Sequence, residues 1–408
     1  MAKVIKLFGR VIKIKINVVD SIMGSGKTSA IINMINESDE FDKFIYITPY
    51  LDEVARIEQS CVGKNFKQPV AVSGSKINGI KKLLINDHNI VSTHSLFHLF
   101  DEDIFNLIKT KGYKLILDEV TTVVEPYNIN KKDIDMIFSQ GKAHVDEHDY
   151  VIWDDADYDG AFEEFKKLCD IKSLCMYGDS IIVWLFPMMS FEVFSEIYIL
   201  TYMFHGQIQK WYYDMFNTEY EYFRADVVNG KYVIVPGQQD DRIDKSLINI
   251  CEHQKLNDIG ELPNTLSKSW YSKSIQNKLI NNLKLNTENY FRNVMEAKSD
   301  MILWTTFKEY QKKVKGKGYT KAFIPLNMRA SNEYRNRNCL AYLCNRFLNP
   351  VVTKFFEKNK IEINQDAYAL SEMLQWIWRS AVRDGSPVNI YIPSKRMRTL
   401  LIEWLEGN

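Results

Sequence analysis

The residues Ser21-Ile22-Met23-Gly24-Ser25-Gly26-Lys27-Thr28 limit the folds open to this chain more than any other stretch. Residues 11–19, just before them, are apolar and rich in β-branched side chains, and residues 27–35 carry apolar side chains at helical spacing. A strand, a glycine loop and a helix therefore come in order, which is the context in which such a loop holds phosphate. Gly24 and Gly26 let backbone amides close around an anion, helped by the positive end of the following helix. Lys27 would neutralise terminal phosphates, and the Thr28 hydroxyl would ligate Mg2+. The nucleotide-binding set is Gly24, Ser25, Gly26, Lys27, Thr28 and Ser29. A strict G-x-x-x-x-G-K-T loop has glycine where Ser21 stands, so this is a shorter variant. The competing reading is a glycine turn that happens to precede Lys-Thr.

The alternation of strand and helix then repeats downstream. Phe44–Thr48 reads as a strand, Leu51–Ser60 as a helix, 89–92 as a strand, 96–109 as a helix and 114–117 as a strand. A parallel sheet flanked by helices is the economical architecture. The last of these strands runs Leu115-Ile116-Leu117-Asp118-Glu119 and ends in two carboxylates. Asp118 could hold magnesium through water, and Glu119 could polarise an attacking water. A strand exit with solvated acids would look the same in isolation, but the phosphate loop upstream favours the catalytic reading.

The two motifs together resemble motifs I and II of the superfamily 2 helicases and related phage-encoded DEAD-like proteins. Further stretches fit that family in order. Tyr46-Ile47-Thr48-Pro49-Tyr50 resembles motif Ia, and Val91-Ser92-Thr93-His94-Ser95-Leu96 resembles the segment after it; in the family both touch a nucleic-acid backbone, which marks Thr48 and Thr93. Leu200-Thr201-Tyr202-Met203 occupies the place of motif III, and 327–332 that of motif V. Gln375, Arg379 and Arg383 resemble motif VI, and their spacing at i, i+4 and i+8 predicts one helical face. In the family those arginines reach the γ-phosphate and stabilise the charge of the transition state. Asp118-Glu119-Val120-Thr121 has neither acid nor His at its fourth position, so the family's usual coupling there is altered.

The resemblance implies an α/β protein of two RecA-like P-loop NTPase lobes with parallel sheets and an insertion before the motif III strand. The expected division is 1–206 for the first lobe, with the insertion at about 125–190, then 207–264 as a connecting region and 265–408 as the second lobe. It further implies an ATP-dependent helicase or translocase that uses ATP and Mg2+ in phage DNA replication or recombination. DNA is then a better partner than RNA, and replication or recombination proteins are candidate partners. Lys27, Glu119, Gln375, Arg379 and Arg383 are the expected catalytic residues. Two other readings stay open: a nucleotide-dependent regulatory protein that clamps nucleic acid or protein without unwinding, and a packaging-type ATPase, which would need a carboxylate-rich metal site in the second half.

Composition bears on the partner. Lys plus Arg and Asp plus Glu both number 52, so no global basic field draws nucleic acid and a local patch must do so. Residues 308–321 supply one, with Lys312, Lys313 and Lys315 at its centre and Tyr310 and Tyr319 among the lysines. Such a cluster could follow phosphates and stack a base, or be a solvated face. Lys395, Arg396 and Arg398 form a second cluster with the same ambiguity. The 6 cysteines lack metal-ligand spacing and read as core thiols of a reducing compartment. Residues 1–19 alternate apolar with basic side chains and form neither a signal peptide nor a membrane helix, which points to the cytoplasm, that of a bacterial host if the chain is phage-encoded.

Overall fold

The computed structural model describes residues 14–178, 180–238, 244–273, 276–326 and 333–407. The chain forms two compact units, Met1–Gln239 with Asn349–Ile363, and Asp240–Leu348 with Asn364–Asn408. It therefore passes from one unit to the other three times.

In the first unit β1 (Lys15–Asp20), β2 (Phe44–Thr48), β3 (Ile90–Thr93) and β4 (Lys114–Asp118) come from the alternating stretch. Every residue of β2 is buried, and β1 is buried after its first residue, as expected of parallel strands covered on both faces. An insertion comes next, with β5 (Val124–Pro126), β6 (Ala143–Val145), β7 (Val151–Trp153), β8 (Leu174–Tyr177) and β9 (Ile181–Leu185). These strands make two small antiparallel sheets, β5-β9-β8 and β6-β7. They share a core in which Ile137, Trp153, Phe165, Leu174 and Ile182 pack. The acidic and aromatic stretch that shows no period in the sequence thus divides into buried aromatics and solvated acids.

The main sheet is completed by β10 (Glu196–Thr201), β11 (Glu221–Val228) and β12 (Lys231–Pro236), giving the order β12-β11-β1-β10-β4-β2-β3. All pairings are parallel except β11 with β12. The hairpin β11-β12 and the helix Ile208–Met215 lie in the stretch expected to be a connecting region. They belong to the first unit because β11 pairs with β1 from Asn17 to Val19. On one face, Ile31, Ile32 and Ile35 of the helix Lys27–Glu37 pack over Val19, Tyr46, Ile116 and Leu200. The helix Pro350–Lys358 also belongs here, with Phe356 edge-on to the buried Trp211 at 6.0 Å between ring centres and Lys358 paired with Asp149 at 2.7 Å.

The second unit holds a four-stranded parallel sheet of β13 (Ile248–Ile250), β14 (Ile302–Thr305), β15 (Cys339–Tyr342) and β16 (Val388–Tyr391), in the order β13-β16-β15-β14. The apolar residues 322–325, which read as a strand in the sequence, do not form one. Phe323 makes a single bridge to Trp304, and Pro325 has no N–H to continue a ladder. The strand of this unit is instead β15, whose four residues are all buried. The 6 cysteines are free thiols, and among the described residues no helix is long and apolar enough to cross a membrane.

Candidate functional site

Gly24 and Gly26 have φ of 85° and 89°, a left-handed backbone that lets the loop fold over the start of the helix. The helix begins as the Ala30 amide donates to the Gly26 carbonyl at 2.8 Å, and its first turn carries no acid to compete with an anion. Lys27 Nζ donates to the carbonyls of Ser21 at 2.5 Å and Ile22 at 3.0 Å, which holds the ammonium within the loop. The buried Ser25 Oγ has no hydrogen-bond partner. Ser21, where a strict loop has glycine, ties the loop to the sheet: its amide donates to Thr201 O at 3.0 Å and its hydroxyl accepts from Ala225 N at 2.9 Å.

β10 lies between β1 and β4, and the register aligns Asp20 with Thr201 and Leu200 with Asp118. The glycine loop and the acidic strand end thus share the carboxyl edge of one parallel sheet, where open α/β sheets bind ligands. Asp20 accepts from the amides of Met203 at 2.8 Å and Phe204 at 3.0 Å and so pins the turn after β10. Burial, with the charges of Glu119 and Glu53, pushes the Asp118 carboxyl up to about 7, against the pull of the Tyr46 hydroxyl and the Lys27 charge. Tyr46 donates to Asp118 Oδ2 at 3.1 Å, and His94 Nε2 lies 3.0 Å from the Asp118 carbonyl. Glu119 sits at φ 77° with its amide on Leu200 O at 2.9 Å, so the chain turns sharply at the second acid. That conformation costs a non-glycine residue on the order of 1–3 kcal/mol, and such cost is concentrated at functional sites.

Thr121 occupies the position where the resembled family has an acid or His. Its amide donates to Gln209 Oε1 at 2.9 Å, and Gln209 Nε2 donates to Tyr213 OH at 2.8 Å. His98 Nε2 lies 2.8 Å from Thr121 Oγ1, and burial keeps that imidazole below its usual pKa. The acidic loop is thereby joined to the helix after β10 through a fully buried amide. Thr48 and Thr93 pair across β2 and β3, and Thr48 is fully buried with its Oγ1 lacking a partner. Burial of Thr48 leaves Thr93 as the more accessible of the two.

Within the second unit Gln375 lies in the helix Gln365–Ile377, but Arg379 and Arg383 lie past its end. The expected single helical face is therefore corrected. The amides of Arg379 and Ser380 bond to the carbonyls of Trp376 and Ile377, and the Ala381 amide donates to Arg337 O at 2.8 Å, so the chain leaves the helix and Arg383 falls on the short turn Ala381–Asp384. Arg379 is 5% exposed, and its guanidinium donates to Leu326 O at 3.3 Å and Pro325 O at 3.4 Å. The candidate motif V at 327–332 lies outside the described residues.

Lys312, Lys313 and Lys315 are exposed around the short helix Gln311–Val314. Tyr319 is buried with its hydroxyl on Val314 O at 2.7 Å, and Tyr310 stacks on Tyr271 at 5.3 Å, so Tyr319 is no platform for a base. The second basic cluster is engaged within its own unit. Arg396 pairs with Asp366 at 2.6 Å, Lys395 with Glu261 at 2.9 Å, and Arg398 donates to Ile392 O at 2.8 Å. Among the described residues there is no group of three or more His, Cys, Asp or Glu able to hold a metal. A site of the Mg2+-nucleotide kind needs no such cage, because one or two protein oxygens with phosphate and water suffice. Thr28, in the first turn of the helix after the loop, and Asp118, at the end of β4, carry oxygens of that kind.

Residues 242–405 match the family described as the YonV C-terminal Rossmann-like domain, and 124–184 match the YonV middle domain. The SPbeta prophage-derived uncharacterized protein YonV of Bacillus subtilis (strain 168) is 42% identical over 411 residues, covering 96% of this chain and 99% of that one. The chain belongs to the YonV family. The middle domain of that family coincides with the two small sheets of the insertion, and the Rossmann-like domain with the four-stranded sheet. Among solved structures, that of S. tokodaii Xpd4 has a TM-score of 0.48 and 12% identity, covering 96% of this chain and 94% of the other. The DUF1998 helicase MrfA bound to DNA and AMPPNP has a TM-score of 0.37 and 10% identity, covering 97% of this chain and 48% of the other.

In this YonV-family chain some residues around the loop and acids carry no motif signal. Asp20 and Gln209 lie outside every quoted motif, and Tyr46 and His94, although inside two of them, meet Asp118 through contacts that only the folded sheet creates. Asp20 alone could have been suspected, as a carboxylate directly before a glycine loop at a strand end.

Proposed function

We propose that the chain is a nucleotide triphosphatase whose cycle drives movement along, or remodelling of, DNA. The observation that carries this reading is the shared sheet edge: the glycine loop follows β1, Asp118 and Glu119 end β4, and β10 between them aligns Thr201 with Asp20 and Leu200 with Asp118. ATP phosphates held by Gly24 to Ser29, Mg2+ on Thr28 and Asp118, and a water activated by Glu119 account for the arrangement. Gln375, Arg379 and Arg383 are proposed from the motif resemblance to complete the set by stabilising γ-phosphate charge. The superfamily 2 assignment rests on the same motifs, and a prophage-derived relative accords with a phage setting for the work.

The burial of Tyr319 and the internal pairing of Lys395, Arg396 and Arg398 shrink the basic footprint, which favours as second reading a nucleotide-dependent clamp that does not unwind. Hydrolysis of Mg-ATP by the purified chain, alone and with single-stranded DNA, duplex DNA or RNA, separates the two. A motor gives turnover that single-stranded DNA stimulates and added salt suppresses, whereas a clamp gives turnover indifferent to nucleic acid. Lys27→Ala should abolish hydrolysis, and Glu119→Gln should keep binding while losing turnover. Wild-type turnover in Lys27→Ala would sink the phosphate-loop assignment.

A further inference from the structure

Tyr232 stands on β12, in a hairpin that the sequence motifs leave unassigned. A Cβ placed on Gly26 would collide with the Tyr232 ring, so the ring lies directly against the phosphate loop. It is also 40% exposed, so part of the ring faces solvent. The hairpin is tied to the phosphate-loop helix at two further points, by Asn33 Nδ2 donating to Tyr232 O at 2.9 Å and by the Lys231–Glu37 ion pair. Beside the ring a groove of about 470 Å³ runs along the helix, lined by Ala30, Asn33, Met34, Tyr232 and Ile234 among others.

The sheet order fixes which end of a nucleotide would meet this ring. The acids lie on one side of β1, beyond β10, and the hairpin β11-β12 lies on the other. With terminal phosphates toward Lys27 and Asp118, as the nucleotide-binding reading has them, the sugar and base would extend away from the acids and toward β12. We propose that Tyr232 is the stacking platform for the base of the bound nucleotide, at the mouth of this groove. The inference rests on the nucleotide-binding reading above and adds to it the part of the site that recognises more than phosphate. Every nucleobase has a π-face, and a platform without hydrogen-bond readout favours the larger purines over pyrimidines without discriminating sharply between purines.

The test compares dissociation constants for Mg-ATP and Mg-tripolyphosphate, which share the phosphate chain and differ in the base. In Tyr232→Ala, ATP should weaken about tenfold, the order that alanine substitution at base-stacking aromatics gives, while tripolyphosphate stays at the wild-type value. Tyr232→Phe, which keeps the ring, should retain ATP affinity. Equal weakening of both ligands in Tyr232→Ala would overturn the proposal and make the ring a prop for the loop. Unchanged ATP affinity would overturn it as well. If the wild-type chain binds neither ligand, the nucleotide-binding reading itself falls, an outcome distinct from failure of the platform alone.

Discussion

Gln209 shows how a single side chain can connect the parts of a site. Its carbonyl oxygen takes the Thr121 amide and its amide serves the Tyr213 hydroxyl, with no exposure to water. In Gln209→Leu the shape is kept but a buried N–H and a buried hydroxyl lose a partner, at about 1–3 kcal/mol for each. We expect a lower urea midpoint with an unchanged slope. Turnover should fall more than nucleotide affinity, because the acids would lose their tie to the helix after β10. Unchanged stability would show that these groups find other partners. Gly24, Gly26 and Lys27 are legible in the sequence because their conformational and charge requirements are local. Gln209 and Tyr232 are not, because each acts on a residue far away in the chain, and nothing in its own neighbourhood marks it.

At the scale of elements, the foot of β10 is held by charge. Glu196 is partly buried, which by itself would raise its pKa, but bonds from Lys15, Asn17 and Tyr198 hold it below the usual carboxylate range. A carboxyl with a lowered folded pKa stabilises the fold above the unfolded value and loses that contribution as pH falls through the folded one. Glu196→Gln should therefore cost about 1–3 kcal/mol at neutral pH and progressively less below pH of about 4.5, so that the two stability curves converge in acid. Parallel curves down to about pH 2 would refute the role. β1 to β4 and β10 are legible because strands buried on both faces must be written as apolar runs. β11 and β12 join the same sheet at its edge, where a half-exposed pattern says little about which strand they will pair with. The end of the helix at Ile377 is hidden for a related reason: the i, i+4, i+8 spacing continues past it, and what stops the helix is the Ala381 bond to the distant Arg337.

For the whole molecule, the two units share a chain that crosses between them three times. The first unit takes its helix Pro350–Lys358 from late in the chain, and Phe356 covers the 1% exposed Trp211. Phe356→Ala should cost about 3–5 kcal/mol, in the range of other buried Phe truncations. A fragment ending at residue 239 should be less stable than the intact chain and should emit tryptophan fluorescence at longer wavelength. A peptide spanning 349–363 should reverse the shift; a fragment with native emission and stability would show that the helix is dispensable. The alternating strands and helices are enough to read an α/β architecture with parallel sheets. The late return of 349–363 leaves no trace in composition or period, since an amphipathic helix looks alike whichever core receives it.

That late return also sets a clock on biosynthesis. Between the last residue of the first long segment and the last of its returning piece lie 363 − 239 = 124 residues. At about 5–20 residues per second the ribosome needs roughly 6–25 s to supply them. Until that interval ends, a nascent chain that already carries the glycine loop and the acidic strand still lacks the Phe356 ring that packs against Trp211 in the fold.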